Sequence, residues 1–447
     1  MSGSDLDTAA RLLDAARVAG ADAADVVVMA DTAIGIGVAG GELEEAERSE
    51  GREAGLRVLL GRRQACVSSS DLSDAALSEM AARAVALARE APEDPWCGLA
   101  EPSLIGGHSD PDTLDMVDPE DPLGPEAMEA LAREAEDAAL AVSGVTQVEQ
   151  ASASRGRTSV TLAASNGFSG SYTRTSTGIG VSAIAGEGLG RERDFMGETR
   201  RHRADLPAAD WIGAEAGRRA VERLGPRKPP GGTVPVLYDE RVAASLIGHL
   251  LSAINGSSVA RGSSWLGEAM DTAVLPAGID LVEDPLIVRG PASRPFDAEG
   301  IAARARPIAE GGILRRWILD CATARQLGLE TTGNARRGTS SPPGPGTSNI
   351  RMTQGPGTRA ELIRDMGTGL VITSMIGSSI NPTTGAYSRG ASGFWVEGGE
   401  IAYPVNEVTV AGSLPDMLRS IVAANDADTN RAIAAPSLLV EGLVVGA

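Results

Sequence analysis

A short apolar strand followed directly by an apolar helix, near the middle of the chain, constrains the fold most. Val234–Tyr238 is typical of a strand, and Asp239 can cap a helix that runs to about Ala253. Apolar residues recur in that helix at the spacing of a buried stripe: Val242, Ala243, Leu246, Ile247, Leu250, Leu251 and Ile254. A helix buried along such a stripe is expected at the centre of a domain.

The rest of the chain mixes helical and strand patterns, which predicts an α+β protein. We expect an N-terminal domain over 1–225, with antiparallel strands and flanking helices, in which 1–90 and 125–225 form two units. The Pro- and Gly-rich run Gly225–Gly232 marks the boundary to a β-rich C-terminal domain, 226–447, built around the central helix. Amphipathic patterns predict further helices over 5–18, 74–90, 125–142 and 210–224. Residues 91–124, rich in Pro, Asp and Gly, are expected to form a surface connection.

Composition excludes several functional classes. The formal net charge is −20, which argues against nucleic acid as a partner, because Lys and Arg contacts to phosphate dominate such binding. No apolar run approaches the roughly 20 residues of a membrane span. Three widely spaced cysteines form no disulfide framework, and the first residues are acidic where a secretory signal is basic. We therefore expect a cytoplasmic protein with no membrane partner.

Several stretches of the second half resemble the TldD/PmbA family of metallopeptidases. They are SRPFDAEG at Ser293–Gly300, TARQLGL at Thr323–Leu329, the Ser348-Asn349 loop and NPTTGAYSRGASGFWVEGGEIAYPV from Asn381. The chain departs from the family at Asn334, where relatives often have histidine. The resemblance covers most of the chain and is most specific in its second half.

The catalytic TldD branch of this family carries His-Glu-x-x-x-His on the helix that corresponds to the central one. That motif binds zinc and supplies a general base. Its three functional positions fall here on Ala244, Ser245 and His249, and no cysteine follows Cys321 to match the branch's late Cys ligand. Catalytic zinc needs about three protein ligands, so no catalytic residue and no metal site is expected in this chain. It resembles the PmbA (TldE) branch, the partner without a complete zinc site.

The resemblance implies a heterodimer in which a TldD-like subunit supplies the zinc and cleaves unfolded peptides. This chain would contribute part of the cleft and of the assembly surface, and it could form a homodimer when alone. We expect peptide to be held by backbone pairing to a sheet edge, which gives affinity with little sequence preference.

Six residues are candidates for contact with substrate or partner: His249, Arg261, Asn381, Tyr387, Ser388 and Arg389. The segment Asn381–Gly390 is predicted to be an irregular loop that faces the partner or the shared cleft, because it contains glycines and Asn381-Pro382. Tyr and Arg are also enriched where interfaces bind most strongly. For His249 we favour a core histidine bonded to a backbone group, with a place in the cleft as the alternative.

Two other functions remain open from the sequence. Asp and Glu are plentiful, so a stand-alone metallopeptidase could assemble a metal site around His249 that the linear pattern does not reveal. A peptide-binding module without any peptidase partner is the other. A nucleotide site at Gly35-x-Gly37-x-x-Gly40 is not expected, because these glycines lie within a strand pattern and open no apolar helix.

Overall fold

The computed structural model of the chain describes residues 2–120 and 123–446. Its helices are α1 (Ser2–Val18), α2 (Asp74–Glu90), α3 (Pro125–Leu140), α4 (Ala209–Glu222), α5 (Glu240–Ala253), α6 (Gly256–Ala260), α7 (Cys321–Leu327), α8 (Arg359–Met366) and α9 (Leu414–Ser420). Its strands are β1 (Ala23–Ala39), β2 (Glu42–Leu60), β3 (Arg63–Ser69), β4 (Val145–Ala164), β5 (Ser169–Ala185), β6 (Glu192–Arg200), β7 (Gly232–Tyr238), β8 (Leu281–Glu283), β9 (Arg306–Glu310), β10 (Ile313–Leu314), β11 (Ala335–Arg336), β12 (Gly344–Pro345), β13 (Ile350–Met352), β14 (Gly369–Ile380), β15 (Ala386–Glu397), β16 (Glu400–Ser413), β17 (Val422–Ala423), β18 (Ile433–Ala434) and β19 (Leu438–Gly446). Among these residues, no helix has the length and hydropathy needed to cross a bilayer.

The N-terminal half is built on one sheet in the order β3-β2-β1-β4-β5-β6, antiparallel throughout. Helices α1 to α4 cover one face, on which Val26, Val28 and Ile36 of β1 are buried. Helices α3 and α4 approach so closely that a Cβ on Gly213 would lie 1.9 Å from the carbonyl oxygen of Ala135. Only glycine fits there.

The opposite face of this sheet, which carries Val27, Leu162 and Tyr172, packs against the C-terminal half through Phe296. This alternation follows from the period of two along a strand. Buried ion pairs also join the halves. Arg337 pairs with Asp25, which is itself paired with Arg57.

The C-terminal half contains a sheet in the order β16-β15-β14-β7-β19-β17. Strand β16 also pairs with β19, so five of these strands form a closed ring. One face of β7 packs on α5 through Val236 and Tyr238, and the other face packs near α8 through Leu237. A smaller sheet, β10-β9-β8-β13-β18, adds to the core around α5.

The α+β class, the antiparallel N-terminal sheet and the β-rich surroundings of the central helix are confirmed. Of the connection predicted over 91–124, residues 91–120 and 123–124 are described, and an isolated bridge joins Ile105 to Ile301. The acidic run from Glu42 to Glu47 is exposed and belongs to β2. A hairpin through Gly398-Gly399 joins β15 and β16.

Candidate functional site

The central helix α5 is fixed at its start by its capping residue. The Asp239 carboxylate accepts a hydrogen bond from the Arg241 N–H at 3.3 Å, and the Asp239 N–H donates to the Ile372 carbonyl at 3.0 Å. These contacts place the first turn of α5 beside β14, directly after β7. The predicted stripe is buried, with Leu246, Ile247 and Leu250 fully inaccessible.

The other face of α5 opens away from this core. Ala244, Ser245, Gly248 and His249 are half-buried, and Ser252 is exposed. A Cβ built on Gly248 would meet no atom within 4 Å. The three positions of the zinc motif therefore share an accessible face.

The imidazole of His249 lies on this open face without a hydrogen bond to Nε2 from any described residue, although that atom is buried. Its ring stands edge-on to that of Tyr387, with centroids 5.9 Å apart. Burial, and next the positive charge of Arg389, lower the pKa of His249, so the ring is neutral near pH 7. The prediction of a core histidine bonded to a backbone group is wrong, because the helix turns this side chain out of the apolar stripe.

Two buried tyrosines extend the group around His249. The Tyr238 hydroxyl donates to the Tyr387 hydroxyl at 3.3 Å, and the latter donates to Met375 Sδ at 3.5 Å. Burial is the main cause that raises the pKa of both phenols. Tyr238 was not among the candidate residues. The one feature of the sequence that could have indicated it is a hydroxyl at the end of an otherwise apolar strand.

Arg389 holds the neighbouring strand in place. Its Nε donates to the Gly377 carbonyl at 2.8 Å, within a bulge of β14 that leaves Ile376 77% exposed. The predicted loop over 381–390 is corrected here. Only 381–385 form a turn, because from Ala386 the side chains alternate in β15 and pair with both neighbours.

The six candidates fall into two groups. His249, Tyr387 and Arg389 lie together, since Tyr387 and Arg389 alternate onto one face of β15. Ser388 is on the other face. Asn381 is exposed at the hairpin turn, where its side chain accepts hydrogen bonds from the N–H groups of Thr383 and Thr384. Arg261 is exposed at the end of α6. Among the described residues, no hydrogen bond or ion pair joins its side chain or that of Asn381 to His249, Tyr387 or Arg389.

Strand β14 has a free edge beside α5. It pairs with β7 only over Leu370–Ile372, and among the described residues no strand continues that pairing. The next carbonyl, that of Thr373, accepts a hydrogen bond from Arg241 at 3.0 Å. Beyond Thr373, no strand of the described residues pairs with this side of β14.

The donors present at the motif positions do not fit zinc. Ala244 has none, and the Ser245 hydroxyl donates to the Val242 carbonyl at 2.7 Å. Within 2–120 and 123–446, His, Cys, Asp and Glu nowhere form a group of three that could hold a metal ion. A single neutral imidazole falls short of the usual three ligands, so no step of chemistry is assigned to a metal in this chain.

Comparison with known proteins finds matches to one family along most of the chain. The PmbA/TldA metallopeptidase profiles match as domain 1 over residues 24–88, the central domain over 118–224 and the C-terminal domain over 231–447. The metalloprotease PmbA of Escherichia coli O157:H7 is 36% identical over 420 residues, which cover 94% of this chain and 91% of the relative.

Solved structures agree with the fold. A Bacteroides thetaiotaomicron protein, described as a candidate modulator of DNA gyrase, superposes with a TM-score of 0.91 at 25% identity, with 98% of each chain covered. TldE of Thermococcus kodakarensis superposes with a TM-score of 0.85 at 18% identity, covering 98% of this chain and all of that one. The chain therefore belongs to the PmbA/TldD family of metallopeptidases, in its PmbA (TldE) branch.

Proposed function

We propose that this chain is the non-catalytic subunit of a cytoplasmic TldD–TldE type metallopeptidase, and that it forms part of the cleft in which unfolded peptides are held. A TldD-like partner would supply the zinc and the general base. The observation that carries the proposal is the accessible face of α5. It retains His249 but has no second metal-binding side chain at Ala244 or Ser245.

The free edge of β14 supports a role in holding substrate. An extended peptide pairs with such an edge through its own backbone groups, which gives binding with little preference for sequence. His249 offers an unpartnered polar nitrogen near that edge, and the exposed Ile376 offers apolar surface. An unfolded segment presents what such a site can use: an unpaired backbone and apolar side chains.

Two further observations fit this proposal. The three cysteines are all free thiols, as expected in a reducing compartment. Exposed apolar side chains lie on both halves, among them Phe195, Trp211 and Val444, and such residues suit contact with a second subunit.

The direct test compares three samples: this chain, the TldD-like chain of the same organism, and their mixture. We expect the mixture to cleave an unfolded reporter peptide, with activity lost on chelation, and this chain alone to be inactive. Chelator-sensitive cleavage by this chain alone would instead favour the stand-alone peptidase.

A matched pair of variants tests the site. His249→Ala should lower turnover by the mixture, whereas Ser252→Ala, on the same open face, should leave it unchanged. Ser252 is a suitable control because it is exposed and its hydroxyl donates only to the Gly248 carbonyl of the preceding turn, at 2.9 Å. Equal activity of the two variants would remove α5 from the proposed cleft.

A further inference from the structure

A separate cavity lies between the helix-free face of the N-terminal sheet and residues 292–298 and 335–337 of the C-terminal half. Its volume is about 130 Å³. One water needs roughly 10–15 Å³ measured in this way, so the space accommodates a small organic molecule. Strands β1, β4 and β5 form one wall, and residues 292–298 and 335–337 form the other.

Apart from Arg174 on β5, the sheet side of this cavity is apolar and aromatic. Met29, Leu162 and Tyr172 line it, and the ring of Phe296 stands edge-on to that of Tyr172, with centroids 5.4 Å apart. These side chains come from well-ordered strands and from the core between the two halves. The wall is therefore a fixed surface suited to an aliphatic or aromatic group.

Four arginines line the cavity: Arg174 on β5, and Arg294, Arg336 and Arg337 on the opposite wall. Arg294 is only 7% exposed, and its Nε has no hydrogen-bond partner among the described residues. The side chain of Arg337 is 1% exposed and pairs with Asp25, yet one of its terminal nitrogens is also unpartnered. Two of the guanidiniums that line the cavity thus have a buried N–H group that no described residue satisfies.

The charges around the cavity do not balance. Asp25 offsets Arg337, and Asp297 lies near Arg294. Arg174 and Arg336 have no ion pair or hydrogen bond with any described carboxylate, and Glu283, which acts electrostatically on Arg336, is itself paired with Arg316. Guanidiniums are not deprotonated in proteins near neutral pH, so this excess positive charge is permanent in a chain whose net charge is −20.

A fifth guanidinium, that of Arg201, adds to the excess next to Arg174. It donates to the carbonyls of Thr175 at 3.0 Å and Gly290 at 3.4 Å, and also to that of Pro291, but to no described carboxylate. Burial, and next the charge of Arg174, lower the pKa of Arg201 to about 10. Like charges held this close repel each other unless an anion lies between or beside them.

We propose that this cavity binds the carboxylate of a small organic acid, with the arginines on its charged end and the apolar wall on its aliphatic or aromatic end. The planar guanidinium matches a carboxylate with two parallel hydrogen bonds. Phosphate would use the same donors but would leave the Met29, Leu162 and Tyr172 wall without a partner. The site is independent of the peptide cleft proposed at α5 and shares no residue with it.

Binding is tested with three probes on the full-length chain: 3-phenylpropionate, its primary amide and inorganic phosphate. We expect 3-phenylpropionate to raise the melting temperature and to give saturable heat in calorimetry. The amide has the same shape without the charge and should do neither. Binding of the amide as well as of the acid, or no effect of the acid at millimolar concentration, would overturn the proposal. A phosphate effect equal to that of the acid would show a general anion site and would overturn the assignment to organic acids.

Variants separate a ligand site from a structural cluster. Arg174→Gln should weaken binding of 3-phenylpropionate at least tenfold while the unliganded variant melts no lower than the wild type, because a repulsive charge is removed. Arg193→Gln is the matched control: this arginine lies on β6, is 64% exposed and pairs with Glu149. Undiminished binding by Arg174→Gln, or equal weakening in Arg193→Gln, would refute the site. A melting temperature that falls in Arg174→Gln without any loss of affinity would show a structural role instead.

Discussion

Replacing His249 by alanine should change stability little, and the structure gives the two opposing contributions. The variant loses the edge-on contact with Tyr387, a type of contact worth about 0.5–1.5 kcal/mol. It also removes a buried nitrogen without a partner, whose burial costs about 1–3 kcal/mol. We therefore expect the free energy of unfolding at pH 7.5 to stay within about 1 kcal/mol of the wild-type value.

The same variant should alter how stability depends on pH. Burial, followed by Arg389, lowers the pKa of His249 in the folded protein, whereas the unfolded chain titrates near about 6.5. Below that pH the unfolded chain binds the proton more readily, so stability falls as the pH is lowered. His249→Ala removes this contribution and should lose less stability than the wild type between about pH 7.5 and 5.5.

Denaturant unfolding at these two pH values, beside turnover by the complex, provides the assay. Ile247→Ala is the control, since this side chain on the buried stripe of α5 is fully inaccessible and its truncation should cost about 2–5 kcal/mol. A loss above about 2 kcal/mol for His249→Ala at pH 7.5 would contradict the balance worked out here. It would mean that the imidazole makes a stabilising bond.

Three further predictions follow from buried charges and from the hairpin. Asp25→Ala should lower the free energy of unfolding by about 3–5 kcal/mol, measured by denaturant titration, because it leaves two buried arginines unpaired. Burial, and then two neighbouring carboxylates, raise the pKa of Glu299 to about 8, so the stability it contributes is complete below about pH 4.3 and is lost as the pH rises through about 8. Glu299→Gln should thus flatten the fall in melting temperature between about pH 5 and 8; an unchanged profile would contradict this. Arg389→Ala should raise the pKa of His249, as measured by NMR, and should reduce turnover because the β14 bulge loses its hydrogen bond. An unchanged pKa would show that the arginine lies too far from the imidazole to affect it.

Periodicity predicted the elements whose burial is one-sided. The helix over 74–90 matches α2 at both ends, and the stripe of α5 is buried as its spacing indicated. Asp31 and Thr32 interrupt the apolar pattern of β1, yet the strand continues through them. Its ladder bonds with β2 and β4 are independent of side-chain polarity there.

The candidate site was less predictable, since it depends on where α5 is open. The sequence placed His249 within an apolar run, and nothing local distinguishes a side chain turned toward the core from one turned toward a cleft. The free edge of β14 depends on where β7 ends, which is a property of two strands far apart in sequence. Tyr387 and Arg389 were identified by residue type alone. Their position beside His249 follows from the strand alternation that begins at Ala386.

The order of strands in the N-terminal sheet has a consequence for synthesis of the chain. The central strand β1 pairs with β4, whose residues lie roughly 110–140 positions later. Because chains are synthesised at about 5–20 residues per second, one edge of β1 stays unpaired for many seconds before β4 has been made. Contacts between such distant segments form slowly, and an open strand edge invites association with other nascent chains. The charged residues of β2 from Glu42 to Arg52 protect one side of this early hairpin, which leaves the β4 side of β1 as the place where a chaperone would act.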